Sequence, residues 1–510
     1  MKDMEKAVER IHTAVVNKEK ILIFGDFDAD GVTATALIHD FLSVVDADLT
    51  WYVPHRIKEG YGISPNHIYM AAQWGVDLVI TVDCGIGGAD AVAAAADEDM
   101  DVIITDHHEP GSHLPFAYAI VNPKQPDCGS GLSFLAGVGV VFYLVMALRK
   151  FFREKGVWQL YPEPSLLEFL DLFAIGTIGD MVPLIHENRV LCMAGIKQMR
   201  KKARPGIQAL AKAARVDIRQ LDSDDISFKL VPRINAAGRI SHARICVSLL
   251  TCREIAQAHK TAVLLDDLNA RRQTIEREIV QTIENRILQD PTLLKDRLLL
   301  LWDSHWDPSV LGIAASRLSK KYVCPVLLLS CNKDVAMGSG RSINNINIHQ
   351  ALTENAHLLQ KFGGHAMASG LTLAKDRLPE LVSGMNAHLK AHYTERNFAK
   401  TLCIDARIKL DQISFDLALE LDRLRPFGMA NPEPVFLSKR LRVVSSTIIG
   451  RSHRKMLLQQ SDNTTGPVVE AFHFNVPDAQ QAPVFYDQLT FRLKISKFKA
   501  NTPQMIIEDV

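Results

Sequence analysis

Three features that would assign a chain to a special class of protein are missing from this sequence of 510 residues. Its eight cysteines form no C-x-x-C pair, so we expect reduced thiols in a cytoplasmic protein rather than disulfides or a structural zinc site. No apolar run approaches the ~18 residues of a membrane span, and residues 1–20 form a charged amphipathic stretch rather than a signal peptide. The 58 basic and 58 acidic side chains cancel, so a nucleic-acid partner would have to bind local basic patches.

The pattern of apolar runs predicts an α/β protein of about three domains, since a domain usually has roughly 100–200 residues. Residues 1–195 alternate short apolar runs with helical stretches, which is typical of a doubly wound parallel sheet. The runs are ILIFG (Ile21–Gly25), LVITV (Leu78–Val82), VIIT (residues 102–105) and AIV (Ala119–Val121).

The remaining residues divide into three further regions. Residues 196–290 are predicted to be helical and to end in a long connector helix, because no glycine or proline occurs from about 256 to 289. Residues 291–398 return to strands and helices and predict a second α/β domain. Residues 399–510 contain many short strands with turns between them, which favours a small β-barrel or sandwich.

Acidic and imidazole side chains follow three of the predicted strands. They are Asp26, Asp28 and Asp30, then Asp83, then Asp106, His107 and His108. Because the carboxyl ends of parallel strands meet at one edge of a sheet, we expect these side chains to lie close together. A single aspartate in such a place more often caps a turn or a helix, but three strands that end this way together favour a site. Asp180, in the stretch GTIGD, follows a predicted helix at a glycine-flanked turn and is a further candidate.

Carboxylates and imidazoles at one sheet edge indicate a site for divalent metal ions. So many acidic oxygens close together stay ionised only if a positive charge lies among them. Oxygen ligands mixed with imidazole suit Mn²⁺, with Mg²⁺ as a weaker substitute. The number of ligands predicts two ions ~3.5–4 Å apart, an arrangement used to hydrolyse phosphate esters.

Glycine-rich stretches with basic residues are candidates for binding an anionic substrate. Glycine lets backbone N–H groups approach an anion, and arginine binds phosphate through two parallel hydrogen bonds. The stretches GSGRS and KFGGHAMASG contribute Ser339, Arg341, Gly363, Gly364 and His365. Two other stretches add Arg56, Arg233, Asn235 and Arg239. A single arginine is more often a surface residue or a partner in a structural ion pair, so that alternative stays open for each.

Six motifs occur in an order that resembles the DHH phosphoesterases: DFDADG, VDCG, TDHHEP, GTIGD, NAAGR and FGGHAMASG. With the late stretch PFGMANPEPVF, the chain resembles the bacterial branch of that family that digests single-stranded DNA from the 5′ end. The resemblance extends over essentially the entire chain. It implies a catalytic DHH domain, a long connector helix, a DHH-associated domain and a C-terminal OB-fold β-barrel.

The resemblance also implies roles for the candidate metal ligands. Asp28 and Asp83 would hold one Mn²⁺ ion. Asp30, Asp83, His107 and Asp180 would hold the second, with Asp83 bridging both ions.

Further roles follow from the same resemblance. Asp26 is an additional candidate ligand, and His108 would face the scissile phosphate. Asp106 would orient the two histidines through hydrogen bonds, as carboxylates behind metal ligands often do. The predicted contacts to DNA phosphates are Ser339, Arg341 and His365.

The implied activity is a 5′→3′ exonuclease that hydrolyses single-stranded DNA to nucleotides during DNA repair and recombination. A single-strand-binding protein and a helicase are expected partners. The barrel is predicted to extend the DNA path through basic residues and through aromatic rings that stack on bases, although core packing is the alternative for the rings. The residues are Lys439, Arg440, Arg442, Arg451, Arg454, Lys455, Lys494, Lys497 and Lys499, with Phe472, Phe474 and Phe498.

Two other functions remain open at this stage. One is a DHH phosphodiesterase for short oligonucleotides or cyclic dinucleotides, a kind of enzyme that lacks the added barrel. The other is a non-catalytic DHH scaffold of a replication complex, a kind of protein that has lost ligand acids.

Overall fold

A five-stranded parallel sheet with helices on both faces forms the first unit of the computed structural model, which describes residues 1–450, 452–463, 465–474, 476, 483–496, 499 and 501–509. The strands are β1 (Ile21–Gly25), β2 (Leu49–Tyr52), β3 (Leu78–Val82), β4 (Asp101–Thr105) and β5 (Ala119–Val121). The helices are α1 (Met4–Asn17), α2 (Ala29–Leu42), α3 (Pro65–Gln73), α4 (Ala89–Asp97), α5 (Gly137–Glu154), α6 (Leu170–Gly179), α7 (His186–Lys202) and α8 (Pro205–Ala213).

The strand order β2-β1-β3-β4-β5 makes the three strands that precede the predicted ligands direct neighbours. Alternate side chains of β1 point to opposite faces. Ile21 and Ile23 pack with α1, α2 and α5, whereas Leu22 and Phe24 pack with α3 and α4. Burial on both faces explains why these strands are apolar throughout. The predicted doubly wound parallel sheet is confirmed, and β2 is an additional edge strand whose half-buried residues gave no apolar run.

A helical segment links the first unit to the second. It contains α9 (Ser223–Asp225), a π-helical turn (Ile226–Leu230), α10 (Val231–Ile240), α11 (Arg244–Thr251) and α12 (Ile255–Gln289). Helix α12 has 35 residues, so it spans roughly 50 Å at 1.5 Å per residue. Its first half, including Ala258 and Leu265, packs into the core of the first unit, and its second half, including Ile279 and Ile283, packs into the second. The predicted connector helix is therefore present and shares a core with both units.

The second unit is a mixed sheet of five strands in the order β6-β7-β8-β10-β9. The strands are β6 (Leu299–Asp303), β7 (Val326–Asn332), β8 (Val335–Arg341), β9 (Lys361–His365) and β10 (Ala368–Ala374). The helices are α13 (Leu311–Tyr322), α14 (Ile348–Glu354) and α15 (Leu378–His392). Helix α13 covers one face together with α12, and α14 and α15 cover the other, which makes this the predicted second α/β unit.

The third unit is a closed barrel of five strands, because β12 pairs with both β13 and β15. The elements are β11 (Ala406–Arg407), α16 (Phe415–Asp422), β12 (Phe436–Ile449), β13 (His453–Gln460), β14 (Val468–His473), β15 (Phe485–Ile495) and β16 (Pro503–Asp509). Leu441, Met456 and Phe491 fill its interior. The predicted small β-barrel is confirmed.

The third unit docks on the first through the segment 423–431. The backbone N–H of Leu184 donates a 2.8 Å hydrogen bond to the carbonyl of Met429. The Arg189 guanidinium donates to the carbonyls of Arg423 (3.1 Å) and Leu424 (3.2 Å). Among the described residues, no helix combines the length and apolar character that crossing a bilayer requires.

Candidate metal centre and substrate cleft

The carboxyl ends of β1, β3 and β4, together with the end of α6, bring acidic side chains around one imidazole. Nε2 of His107 lies 3.1 Å from Oδ1 of Asp83, 3.6 Å from Oδ2 of Asp180 and 3.8 Å from Oδ2 of Asp30. In this cluster, potential ligand atoms lie within 4.8 Å of one another in three groups. The groups are Asp26, Asp28 and Asp83; Asp30, His107 and Asp180; and Asp83, His107 and His108. Asp83 and His107 each belong to two of them, so the site is continuous.

Backbone N–H groups hold the aspartates of the first motif in place. Asp28 caps α2 by accepting hydrogen bonds from the backbone N–H of Asp30 (2.9 Å) and Gly31 (3.1 Å). Asp30 accepts from Gly137 (2.6 Å) and Val138 (2.8 Å) at the start of α5, where the helix dipole favours negative charge. Nothing in the sequence near Gly137 marks it as a partner of Asp30, so this contribution of α5 was not predicted.

The backbone lies so close to the candidate ligands that the positions facing them accept only certain residues. A Cβ on Gly137 would lie 2.5 Å from Oδ1 of Asp83, so the start of α5 can approach this carboxylate only as glycine. Asp83 has a left-handed backbone (φ 61°), which aspartate adopts more readily than most residues. Asp180 is the residue after α6, and its side chain remains 24% exposed on the open side of the cluster.

The carboxyl groups of the cluster are buried close together, so a cation is needed if all of them are to be ionised. Burial, and then the neighbouring carboxylates, raise the pKa of Asp30 to about 7 and that of Asp180 to about 8. The same causes raise the pKa of Asp83 well above its ordinary value. Burial, and then the charge of His108, lower the pKa of His107 to about 3, so its imidazole is neutral and able to bind a metal.

Buried polar atoms without partners face one another in this cluster. Within the described residues, Oδ1 of Asp26, Oδ1 of Asp83 and both ring nitrogens of His107 have no hydrogen-bond partner. An unpartnered buried polar atom costs free energy, so such a group is expected only where something else binds it. Carboxylate oxygens and imidazole nitrogens suit divalent ions such as Mn²⁺, and the donor set therefore fits the predicted metal site.

His108 forms a separate charged pair with Asp106 at the edge of the cluster. Oδ1 of Asp106 lies 2.7 Å from Nδ1 of His108 and accepts from the backbone N–H groups of both histidines. Burial alone would lower the pKa of His108, but the hydrogen bond and charge of Asp106 raise it to about 9. Burial would raise the pKa of Asp106, yet its hydrogen bonds with His108 and with backbone N–H groups lower it. The His108 side chain is 44% exposed and cationic, which suits contact with a phosphate.

Tyr61 is a candidate site residue that the sequence analysis missed. Its hydroxyl lies 3.1 Å from Nδ1 of His108, and its ring packs edge-on against Phe27 in the first motif. The stretch VPHRIKEGYG drew attention to Arg56 but not to this tyrosine. A tyrosine flanked by two glycines was the only local signal.

Three arginines from different segments converge beside the acidic cluster. Burial lowers the pKa of Arg239, and the charges of Arg56 and Arg341 lower it further. Burial also lowers the pKa of Arg341, with a second contribution from the charge of Arg56. Burial lowers the pKa of Arg56 against the opposing charges of Asp26 and Asp28. These mutually repelling guanidinium groups define a cationic cluster, Arg56–Arg239–Arg341, between the first and second units.

Contacts from both units hold this arginine cluster. Arg239 donates to the carbonyl of Ser309 (2.8 Å), and Arg341 donates to Oγ of Ser339 (2.9 Å). A Cβ on Gly312, near the start of α13, would lie 2.8 Å from the Arg341 guanidinium and 2.9 Å from Oγ of Ser339. Ser339, Arg341 and the first turn of α13 therefore form one surface, as an anion site would require.

The glycine-rich strand β9 lies beside the arginine cluster. Gly364 has φ 128°, and a Cβ there would lie 2.3 Å from the carbonyl oxygen of Ala368, so only glycine fits. Gly363 faces open space. His365 is exposed, and its pKa is lowered by partial burial and by the charges of Arg341 and His349. This places His365 within electrostatic reach of Arg341.

Arg233 and Asn235 hold other parts of the protein rather than an open cleft. The Arg233 guanidinium forms a 2.7 Å ion pair with Asp266 and donates to the carbonyl of Lys229 (2.6 Å). Oδ1 of Asn235 accepts from the backbone N–H of Ala29 (2.8 Å), inside the first motif. The Arg233 guanidinium is therefore already paired within the protein, and its predicted contact with substrate stays a prediction. Asn235 positions the loop of the metal site.

Only part of the predicted basic track on the barrel is open. Lys439, Arg440 and Arg442 are exposed. Four others have partners within the protein or are buried: Lys455 and Lys499 pair with Glu470, Lys494 pairs with Asp224, and Arg454 is 2% exposed. These contacts within the protein compete with DNA phosphates for the four side chains, so their part in the basic track stays a prediction. Arg451, Lys497 and Phe498 lie outside the described residues.

The two described aromatic candidates of the barrel lie against each other rather than in the core. Phe472 and Phe474 stack with ring centroids 6.2 Å apart and planes at 12°. Phe474 is 48% exposed, so core packing does not account for it.

Comparisons with known proteins agree with this architecture. Residues 20–177 match the DHH family, N-terminal domain; residues 295–391 match the DHHA1 domain; and residues 404–509 match the RecJ OB domain. The chain is 36% identical over 521 residues to the single-stranded-DNA-specific exonuclease RecJ of Dickeya dadantii, covering 99% of this chain and 89% of that protein. The same exonuclease of Escherichia coli is also 36% identical, and the match covers 99% of this chain and 89% of that protein.

A solved structure is similar over the full length. RecJ from Thermus thermophilus in complex with Mn²⁺ superimposes with a TM-score of 0.82 and 26% identity, covering 100% of this chain and 71% of that chain. With all three domain matches in order along the chain, and with relatives 36% identical over nearly their full length, the chain belongs to the RecJ family of DHH proteins.

Proposed function

We propose that this chain is a hydrolase that removes nucleotides from the 5′ end of single-stranded DNA in a metal-dependent reaction. The observation that carries the proposal is the position of the cationic cluster Arg56–Arg239–Arg341 beside the acidic cluster around Asp83 and His107. A phosphodiester placed between them would meet cations on one side and the metal ligands on the other. RecJ relatives are named for this activity on single strands.

The acidic cluster would hold two divalent ions. Asp28 and Asp83 would bind one, and Asp30, Asp83, His107 and Asp180 the other, with Asp26 as a further ligand of the first group. Bound divalent ions would lower the pKa of water and neutralise charge that develops on phosphate oxygens. The neutral imidazole of His107 favours Mn²⁺ over Mg²⁺, because imidazole binds the transition metal better.

The chain's own residues would orient the substrate and stabilise charge on it. The His108 cation, held by Asp106, lies on the exposed side of the cluster and would donate a hydrogen bond to the scissile phosphate. The Tyr61 hydroxyl, 3.1 Å from the same ring, would hold His108 in that orientation. Donation to the phosphate needs the second ring nitrogen to carry a proton, and the hydrogen bond and charge of Asp106, which raise the pKa of His108, favour that protonated form.

The 5′ polarity would come from the arginine cluster. Ser339 and Arg341, next to the first turn of α13, would bind a terminal phosphate, and Arg56 would connect this pocket to the metal site. A terminal phosphate carries more charge than an internal one, so a cluster of three repelling guanidinium groups would select it. His365 and the backbone at Gly363 and Gly364 would contact the following phosphates.

We assign these tasks to four segments: a DHH catalytic domain (1–195), a helical region with the connector helix (196–290), a substrate-binding DHH-associated domain (291–398) and an OB-fold DNA-binding domain (399–510). The expected setting is DNA repair and recombination in the cytoplasm, with a single-strand-binding protein and a helicase as partners. A phosphodiesterase for short oligonucleotides would not need the barrel, and a non-catalytic scaffold would not keep the acids of the cluster.

The test is hydrolysis of matched single-stranded and duplex oligonucleotides that carry a label at either end. With Mn²⁺, labelled mononucleotide should appear first from the 5′-labelled single strand, and less product should form with Mg²⁺. EDTA should abolish hydrolysis, and the variant Asp83→Asn should be inactive in the same preparation. Release of the 3′ label first, or equal digestion of the duplex, would contradict the proposed polarity or strand choice.

A further inference from the structure

An apolar groove lies between the first and third units, directly beside the acidic cluster. Its volume is about 320 Å³, near the lower end of the roughly 300–1,000 Å³ typical of small-molecule sites. Its apolar lining includes Met181, Val182, Leu184, Phe228, Phe427 and Met429. Met181 immediately follows Asp180, so the groove opens next to a predicted metal ligand. Phe427 and Met429 belong to the stretch PFGMANPEPVF, to which the proposed reaction assigns no role.

Three large apolar side chains of the groove are exposed to solvent. Phe228 is 75% exposed, Met181 64% and Met429 53%. Phe228 lies in the π-helical turn, between Ile226 and Leu230, which are both fully buried. Leaving a phenylalanine exposed forgoes the stabilisation that burial of its ring would give. A contiguous group of such side chains marks a surface that binds something.

The groove is preformed rather than a gap between loosely placed units. The Leu184–Met429 backbone hydrogen bond joins its two walls. A Cβ on Gly428 would lie 2.7 Å from the Leu184 side chain, so the walls are also in close contact. The Asn431 side chain donates to the carbonyls of Pro426 (2.8 Å) and Leu424 (3.0 Å), which holds the loop of the third unit.

The charged residues that line the groove are Asp224, Glu433 and Arg492, and they pair with one another or with Lys494, which lies outside the lining. Lys494 lies 3.0 Å from Asp224 and 3.4 Å from Glu433, and Arg492 lies 3.6 Å from Glu433. Such a lining has two carboxylates that would repel a phosphate. An uncharged, flat and apolar occupant fits it better.

We propose that this groove binds unstacked bases of the DNA strand whose scissile phosphate lies at the acidic cluster. The inference rests on the proposed exonuclease function and adds a site for bases to the sites for phosphates. Phe228 would stack on a base, and Met181 and Met429 would adapt to its shape through their flexible thioethers. Every base has an aromatic face, so binding here would be independent of sequence. A paired base of a duplex would not enter the groove, which would add to the preference for single strands.

The test measures DNA binding in EDTA, so that no hydrolysis occurs, with two oligonucleotides of equal length. One carries all its bases, and the other has a run of abasic residues after its first nucleotides. The unmodified protein should bind the complete strand more tightly than the abasic strand. Phe228→Ala should weaken binding of the complete strand roughly 5- to 100-fold, the loss for one stacked base, and should leave the abasic strand nearly unaffected.

Phe116→Ala is the matched control, because Phe116 is a fully exposed phenylalanine of the first unit that does not line the groove. It should change neither affinity. Met429→Ala should reproduce part of the Phe228→Ala effect, and thermal unfolding of each variant shows whether it is folded. Equal effects of Phe228→Ala on both strands, or none on either, would overturn the base site. Absence of single-strand hydrolysis by the unmodified protein with Mn²⁺ would instead overturn the proposed function.

Discussion

Nε2 of His107 lies 3.1 Å from Oδ1 of Asp83, and within the described part of the chain neither buried atom has a hydrogen-bond partner. Two polar atoms in this state destabilise the fold unless a third species lies between or beside them. A divalent cation satisfies both, because each atom offers it a lone pair. The pair is therefore the centre of the candidate metal site, and it is the first target for substitution.

Replacing Asp83 with asparagine should lower kcat by several orders of magnitude in Mn²⁺. Asparagine tolerates the left-handed backbone at this position, so the fold should persist while one charged ligand is lost. Steady-state hydrolysis of a single strand provides the measurement. Asp90→Asn, at an exposed aspartate of α4, should retain full activity. If Asp83→Asn kept more than a tenth of the activity, Asp83 would not be a shared ligand.

Metal binding should stabilise the protein more at pH 8 than at pH 6. In the folded protein the pKa is about 7 for Asp30 and about 8 for Asp180, both above the ordinary value of 3.8, so these carboxyls hold protons more tightly folded than unfolded. Their contribution to the stability of the metal-free protein therefore falls as the pH rises from about 4 to about 8. A divalent ion must displace these protons, so it binds better when they have already left.

The measurement is the shift in Tm that Mn²⁺ produces at each pH, relative to EDTA. Asp83→Asn should reduce the shift at both values of pH because it weakens binding. An equal Tm shift at pH 6 and pH 8 for the unmodified protein would mean that protons do not compete with the metal.

Replacing Arg341 with alanine should weaken binding of a 5′-phosphorylated single strand by roughly 1.5–3 kcal/mol, the range for a hydrogen bond to a charged group. The loss should be smaller for the same strand with a 5′-hydroxyl. Arg377→Ala removes an exposed arginine that pairs with Glu380 and should change neither affinity. Equal losses on both strands would place Arg341 on an internal phosphate instead of the terminal one.

Neutralising Lys439 and Arg442 to glutamine should flatten the salt dependence of binding to long single strands. The slope of log K against log salt should fall by roughly 0.7 for each lost phosphate contact. Lys390→Gln is the control, because Lys390 is an exposed lysine of the second unit that pairs with Asp296 and lies outside the barrel. An unchanged slope would place the DNA path elsewhere on the protein. Deleting the entire third unit is a less specific test. It would also remove the hydrogen bond between Met429 and Leu184, which lies close to Asp180 in the chain.

Local signals in the sequence determined the framework of the first unit. Strands β1, β3 and β5 have the predicted bounds, because a strand buried on both faces must be apolar along its length. The acidic and imidazole side chains that follow these strands were predicted to form one cluster, since the carboxyl ends of parallel strands lie at the same edge of the sheet. The connector helix was predictable for a similar reason, because the spacing of Ile279, Ile283 and Ile287 is a property of the sequence alone.

Tertiary structure decided which polar groups are free to act. Arg233 and Lys494 have the same sequence signature as an open phosphate contact, yet Asp266 and Asp224 neutralise them. Arg341 pairs with no carboxylate of the described residues and faces the charge of Arg56 instead. The physical reason is that the apolar pattern of a buried strand or helix is formed by residues close together in the chain, so the sequence shows it directly. Charge pairing and close packing act between residues that only the complete fold brings together.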